Sequence, residues 1–471
     1  MPVSEAYHPE ILHASLGPEF FDEVEAARFP KTLLRYRNQR WAERVGLGSL
    51  SDEEWTAYFA RFESLPGGLA KPLALRYHGH QFRSYNPDLG DGRGFLFAQL
   101  RDADGRLLDL GTKGSGRTPW SRQGDGRLTL KGGVREVLAT EMLEAVGVET
   151  SKSFSLFETG EALMRGDEPS PTRSSVLTRL SHSHVRIGTF QRLAFYEDRQ
   201  GLEKLTAYVI AQYFPELSGA GRPAEALLAA VTARCARLAA SYMTAGFVHG
   251  VLNSDNINIT GESFDYGPWR FAPVWDAGFT AAYFDESGLY AFGRQPGAIG
   301  WCLARLAESL LPLVGLKTAD AIVSGYAERV RAAFRTSLLA RLGLGSEGQE
   351  RDAVLAKAFV DFMIASRAPL EQAIFDWRGG PASHARAKRS QSAAFYESDG
   401  FRPLREALAS YRPTAAARLD HPYFARSEPC TMLIDEVEQI WDAIAKDDDW
   451  GPFERKLARI GEMREANAPL P

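Results

Sequence analysis

The chain has 471 residues, 60 of them acidic against 55 basic, for a formal net charge of −5. At about 100–200 residues per domain, this length makes room for roughly three units, and an apolar content of 44% suffices for large cores. The mildly acidic balance gives no support to a nucleic-acid partner, which calls for a basic surface, but it leaves room for a local basic pocket.

Residues 1–21 lack a basic n-region and an apolar h-region and carry acidic residues, so neither a signal nor a transit peptide is expected. Up to about residue 88 the pattern is mixed, with breaks at Pro66-Gly67-Gly68 and Asn86-Pro87. Gly90-Asp91-Gly92-Arg93-Gly94 then precedes the first clear strand, over 95–100. Asp102-Ala103-Asp104-Gly105 is a hairpin signal, and 107–113 returns as a strand ending in Lys113. A Gly/Arg/Ser-rich loop is expected over 114–133. A helix follows over 134–146, with Val134, Leu138, Met142 and Ala145 at helical spacing and Gly147 as its C′ residue. Short strands are expected at 154–157 and 175–180. Beyond about residue 200 the pattern turns helical: 224–245 ending at Gly246, then 299–313, 319–342 and a charged helical stretch from Asp352 onward. The longest apolar run, around 310–314, is far too short to span a bilayer. Cys235, Cys302 and Cys430 are far apart and show no metal-ligand spacing, which suits a reduced, cytoplasmic compartment. A β-rich part followed by a helical part makes the fold class α+β.

The chemistry concentrates between His249 and Gly267. A protein kinase carries a catalytic loop H-R-D-x-x-x-x-N followed by D-F-G. Here His249-Gly250 opens the loop, Asn256 stands at the metal-ligand position, and Asp265-Tyr266-Gly267 fills the D-F-G slot. The catalytic aspartate position holds Val251, which cannot accept a proton; Asp255 is the replacement at hand. Asn256 and Asp265 are hard-oxygen ligands suited to Mg²⁺ or Mn²⁺ on a nucleotide.

Upstream, Lys113 ends its strand as a phosphate-pairing lysine would. Glu136 has no cation at helical i±3 or i±4 positions, so a surface pair cannot explain it; Lys113 is its candidate partner, against a solvated first-turn acid. The glycines of 90–94 let backbone N–H groups approach phosphates, and Arg93 adds a cation; alone, the segment reads as a turn. Asp125-Gly126 also reads as a turn on spacing alone. Arg179 and Arg186 align if their segment is helical and suit either phosphates or structural ion pairs. His182 and His184 form an H-x-H without a third ligand nearby, which argues against a metal. Residues 111–118 approach the P-loop pattern, but Arg117 replaces its lysine and Pro119, Gly124 and Gly126 make a loop where a helix should begin.

Taken together, Gly79-His80-Gln81-Phe82, Leu89–Gly94, Thr118–Arg127, Val134–Glu141, the segment from Leu177 to Gln191 and the 249–268 motif resemble the selenoprotein O family of kinase-like protein adenylyltransferases. The likeness runs over about residues 75–270 and continues more weakly from His421. It implies a bilobal pseudokinase fold with additional C-terminal helices: residues 1–195 as the β-rich lobe, 196–345 as the helical lobe and 346–471 as the extension. It implies transfer of AMP from ATP to Ser, Thr or Tyr hydroxyls of proteins, with release of pyrophosphate. No nucleic acid or membrane is expected as a partner. Gly90, Gly92, Arg93, Lys113, Asp125, Gly126, Arg179, Arg186 and Asp265 would hold the nucleotide and Glu136 would pair with Lys113. Asn256 and Asp265 would hold Mg²⁺ or Mn²⁺, and Asp255 would be the proton acceptor. Use of UTP with Mn²⁺ is implied as well. Members end in a short Cys or selenocysteine redox motif, whereas this chain ends Arg-Glu-Ala-Asn-Ala-Pro-Leu-Pro, so redox control through that motif is not expected. Two other readings stay open on the residues alone: a phosphotransferase, and a silent nucleotide-binding scaffold.

Overall fold

The computed structural model describes residues 3–468; the first two residues and the last three, which end the tail lacking the redox motif, lie outside the described residues. Among those described, the strands are β1 (His8–Glu10), β2 (Phe21–Glu23), β3 (Leu33–Arg37), β4 (Leu73–Leu75), β5 (Gly79–Gln81), β6 (Ser84–Asn86), β7 (Leu96–Arg101), β8 (Leu107–Lys113), β9 (Leu128–Thr129), β10 (Lys152–Leu163), β11 (Thr172–Ser181), β12 (Phe247–Val248) and β13 (Arg270–Phe271). Nine of them form one sheet in the order β2-β4-β7-β8-β11-β10-β3, with β1 on β7 and β9 on β11; its pairings are antiparallel. The fold is mixed α and β, with this large sheet and many helices.

Both faces of the central strands are covered, which is why β7 and β8 read as near-continuous apolar runs. Leu107, Leu156 and Leu177 pack with the Leu130–Ala145 helix, while Leu108, Leu110, Phe154 and Leu180 pack with Trp55 and Phe59. The β7–β8 turn forms as expected: Asp102 Oδ1 accepts from the Asp104 and Arg106 N–H groups, and Gly105 takes φ 76°.

The Leu130–Ala145 helix begins four residues before the predicted start. Thr129 caps it by accepting from the Gly132 N–H. Gly132 and Gly133 look like loop residues because glycine costs a helix about 1 kcal/mol. The structure shows why Gly133 is there: a Cβ would stand 2.5 Å from Leu156 Cδ1, so the helix lies directly on β10. Strands β10 and β11 extend well past the short cores expected. The Pro223–Ala245 helix ends, as expected, at Gly246 with φ 66°. The helix predicted over 299–313 is instead Gln295–Ser309 followed by Leu311–Val314, and that predicted over 319–342 is split at Gly325 into Leu316–Ser324 and Tyr326–Leu342. Apolar periodicity runs through both interruptions and conceals them.

Further helices, from Gln349–Ser366 to Gly451–Asn467, fold back onto the rest of the chain. Arg464 of the last helix binds both Glu141 and Glu144, fixing the C-terminal segment to the helix that carries Glu136. No described helix is long and apolar enough to cross a membrane.

Candidate active site

The site is assembled where β8, β11 and the Leu130–Ala145 helix meet the 249–267 segment. Strand β8 delivers Lys113, and the helix delivers Glu136. Lys113 Nζ donates to Glu136 Oε1, with both side chains almost wholly buried. The solvated-acid reading of Glu136 is therefore excluded. Lys113 Nζ also lies 2.9 Å from Asp265 Oδ1.

Asp265 sits at φ 66° and is ringed by cations. Arg179 Nη1 lies 3.2 Å from Oδ1 and Arg186 Nη1 3.7 Å from Oδ2. Burial by itself would raise the Asp265 pKa, but Lys113, Arg179, Arg186 and Arg93 outweigh it and hold the carboxyl well below the ordinary range. His249 binds the Phe264 carbonyl through Nε2 (2.9 Å), joining the two halves of the motif.

The two arginines do not share a helix face. Arg179 lies on β11, and Arg186 precedes the Ile187–Phe195 helix; strand and chain reversal, not helical spacing, bring them together. Arg186 is held between the rings of Tyr77 and Phe264, 4.3 and 4.8 Å from its guanidinium carbon. Its Nη1 donates to the Asp255 carbonyl (3.0 Å) and its Nη2 to Asp91 Oδ1 (3.2 Å). Arg179 Nε donates to His184 Nε2 (3.3 Å), and Asp109 accepts from the His184 backbone N–H (2.8 Å). The H-x-H thus orients an arginine. Among the described residues no group of three or more His, Cys, Asp or Glu is arranged to hold a metal.

Asp255 lies in the short 3₁₀ turn Ser254–Asn256. Its Oδ1 is buried without a hydrogen-bond partner, and burial raises the carboxyl to about 6, with Arg186 opposing. Gly79 leaves the room for it: a Cβ there would stand 3.0 Å from Asp255 Cβ. Val251 packs against the apolar core. Asn256 Nδ2 donates to the Val251 carbonyl (3.1 Å), which commits the amide nitrogen and leaves the amide oxygen for another partner. Between Asn256 and Asp265, residues 257–259 form no strand, only a single bridge from Asn258 to Arg186.

These groups face a cleft of about 690 Å³ whose walls include Gly90, Gly92, Arg93, Lys113, Asp125, Gly126, Arg179, Arg186, Asp255 and Asp265. Glu136 stands behind Lys113, and Asn256 is not on the wall. The glycines answer to close packing: a Cβ at Gly90 would run into the Trp120 ring, and one at Gly92 would stand 2.8 Å from the Trp120 carbonyl. Residues 114–127 are the loop expected in place of a P-loop helix. Asp125 is paired with Arg165 (2.8 Å) at the exposed rim, and Gly126 takes φ 72°.

Sequence reasoning missed Asp91, Tyr77, Trp120, Arg122 and Arg165, all on the cleft wall. Asp91 was in view inside the glycine run; its Oδ2 accepts from the Leu75 N–H (3.1 Å), pinning that loop to β4. Trp120 and Arg122 lie inside the Thr118–Arg127 stretch without having been singled out, and Tyr77 and Arg165 come from separate segments. Chemically, the cleft suits a polyphosphate, since Arg93, Lys113, Arg122, Arg127, Arg165, Arg179 and Arg186 outnumber the four aspartates on its wall. An ionised Asp265 and the Asn256 amide oxygen fit a hard divalent cation that takes its remaining ligands from phosphates and water.

Comparison with known proteins agrees with this chemistry. The family model described as protein adenylyltransferase SelO matches residues 3–461. The chain is 42% identical to the protein nucleotidyltransferase YdiU of Synechocystis sp. (strain ATCC 27184 / PCC 6803 / Kazusa), covering 96% of this chain and 97% of that protein. It is 43% identical to that of Synechococcus elongatus (95% and 93% covered) and 36% identical to that of Bradyrhizobium sp. (strain ORS 278) (96% and 92% covered).

Proposed function

The chain belongs to the protein adenylyltransferase SelO family and is a nucleotidyltransferase, and from that membership we propose that it transfers AMP from ATP to Ser, Thr or Tyr hydroxyls of protein substrates. The acceptor oxygen forms a bond to the α-phosphorus, the bond to the departing pyrophosphate breaks, and the hydroxyl proton passes to Asp255. The observation that carries this reading is Asp255, whose Oδ1 is buried without a hydrogen bond on the wall of a cationic cleft, while the kinase base position holds Val251, packed against the apolar core.

Each side chain has a part. Arg93, Lys113, Arg179 and Arg186 bind the phosphates and offset the charge that grows on the leaving group. Glu136 keeps Lys113 extended into the cleft, and His184 keeps Arg179 turned toward Asp265. Gly90, Gly92, Asp125 and Gly126 shape the loops that cover the nucleotide. Asp255, raised to about 6, is ionised at neutral pH yet close enough to it to act as a general base. Asn256 and Asp265 would hold Mg²⁺ or Mn²⁺, which when bound supplies charge neutralisation on the phosphate oxygens. In this reading residues 1–195 and 196–345 are the two lobes of a kinase-like fold, and 346–471 is the extension.

The test is incubation of the purified protein and Mg²⁺ with α-labelled and, separately, γ-labelled ATP. Protein label from the α-position alone is expected. Label from the γ-position would overturn the reading in favour of phosphoryl transfer. ATP binding without label from either would favour the scaffold.

A further inference from the structure

We propose that the tip of the β5–β6 hairpin, together with the loop carrying Tyr283 and Phe284, is the docking surface for the acceptor polypeptide and takes an apolar or aromatic side chain flanking the modified hydroxyl. The identity of the occupant as an acceptor rests on the adenylyl-transfer reading above.

The hairpin register pairs Gln81 with Ser84, so Phe82 and Arg83 form a two-residue turn. Both have positive φ, 48° and 67°. Such turns favour Asn-Gly, because a bulky side chain is crowded at positive φ. Phe and Arg are costly there, and strain of this kind collects at functional positions.

What the strain achieves is the presentation of a ring. Phe82 is 41% exposed, and beside it Phe284 is 45% and Tyr283 80% exposed. Phe82 touches Tyr290 and Phe284, at ring separations of 5.3 and 5.9 Å, and Tyr283 lies 5.1 Å from Phe284. Single exposed apolar residues need no explanation, but a cluster marks an interaction surface, and aromatic residues are favoured at its centre.

The location selects the partner. Ser254 Oγ accepts from the His80 N–H (2.8 Å), and Asn253 Oδ1 accepts from the Phe82 N–H (3.0 Å) and from Tyr290 O–H (2.6 Å). The aromatic tip is therefore tied to the two residues preceding Asp255. Gln81, the next residue in the hairpin, lines the nucleotide cleft. The Asp285 carboxylate accepts from the Leu289 and Tyr290 N–H groups (2.7 and 2.8 Å), which stiffens the opposite wall. The Phe82 and Phe284 rings offer nothing to a phosphate. An acceptor hydroxyl must come within hydrogen-bond reach of Asp255, and the polypeptide bearing it then lies across this tip.

Two variants test the surface: Phe82→Asn/Arg83→Gly, which also relaxes the turn, and Phe284→Ser on the separate loop. The probes are short fluorescent peptides with one central Ser, Thr or Tyr, flanked by Leu and Phe or by Ser and Gly. Binding is read by anisotropy, transfer from α-labelled ATP, and ATP affinity by calorimetry. The parent protein should bind the apolar set more tightly. Each variant should lose about tenfold in peptide affinity, as truncated interface anchors do, with ATP affinity unchanged. The turn variant should also melt at a higher temperature. Equal peptide binding by parent and variants, or no preference for the apolar set in the parent, overturns the docking surface. Weakened binding with no transfer to any peptide leaves the surface standing and refutes the adenylyl-transfer reading.

Discussion

At the scale of single residues, the site depends on charges that the fold forces into proximity. Asp255 is the sharpest case. It is buried, and its Oδ1 has no hydrogen bond. Asp255→Ala should lower transfer by about 10²–10⁴, the usual contribution of a positioned base, while ATP affinity measured by calorimetry stays near that of the parent. Unchanged turnover would remove Asp255 from its role. Lys113 differs, because it neutralises two acids at once, Glu136 and Asp265. Lys113→Met would strip the buried Glu136 of its cation, while Asp265 keeps Arg179 and Arg186. It should lose ATP binding and also several kcal/mol of stability, since breaking a buried ion pair from one side typically costs about 3–5 kcal/mol. A denaturation midpoint equal to the parent's would contradict this account.

At the scale of elements, close approach decides more than propensity does. Gly111 lies on β8 because a Cβ there would run into the His184 ring, and that ring holds Arg179. Gly111→Ala should displace His184 and loosen Arg179, raising the KM for ATP more than it lowers kcat. The overpacking itself costs about 1–3 kcal/mol. An unaltered KM in a folded Gly111→Ala protein would dissociate His184 from nucleotide binding. Further from the cleft, Glu141 accepts from Tyr36 O–H (2.8 Å), Asn38 Nδ2 (3.1 Å) and Arg464. Arg464→Ala leaves the first two in place, so its stability loss should be about 1.5–3 kcal/mol, that of a hydrogen bond to a charged group, read from chemical denaturation. The helix start at Leu130, the breaks at Leu310 and Gly325, and the full lengths of β10 and β11 were beyond sequence reading for the same reason. Each is set by what the segment packs against, as Gly133 on Leu156 shows, and local propensity argues the other way or is silent.

For the whole molecule, stability should carry a pH signature unrelated to the cleft carboxylates. Burial raises Glu262 to about 7, Lys152 opposes it, and its side chain accepts from the His182 N–H. The folded pKa stands above the ordinary glutamate value of 4.5, so the native state keeps a proton that the unfolded chain has released. This group's contribution to stability therefore falls as pH rises from about 4.5 to about 7 and is flat outside that window. Glu262→Gln keeps an acceptor for His182 and removes the charge. Its melting temperature should exceed the parent's at pH 8, with the gap closing toward pH 4.5. A gap independent of pH would show that Glu262 is not the group responsible.

The sequence by itself determined the chemical inventory: Lys113, the unexplained Glu136, the Asn256 and Asp265 oxygens, and a loop whose Val251 excludes the ordinary kinase base and leaves Asp255. These were legible because they lie in short segments where residue type and spacing carry the signal. It also showed an α+β order of elements and a loop in place of a P-loop helix. Only the tertiary structure decided that Arg179 and Arg186 converge from a strand and a chain reversal, that Asp91, Tyr77 and Trp120 complete the wall, and that Phe82 stands beside the Asp255 loop. The first joins residues seven positions apart through a strand end and a reversal, and the others join residues tens to more than a hundred positions apart, through sheet register and side-chain packing. Periodicity over a single helix or strand cannot encode contacts whose energies come from burial against distant segments.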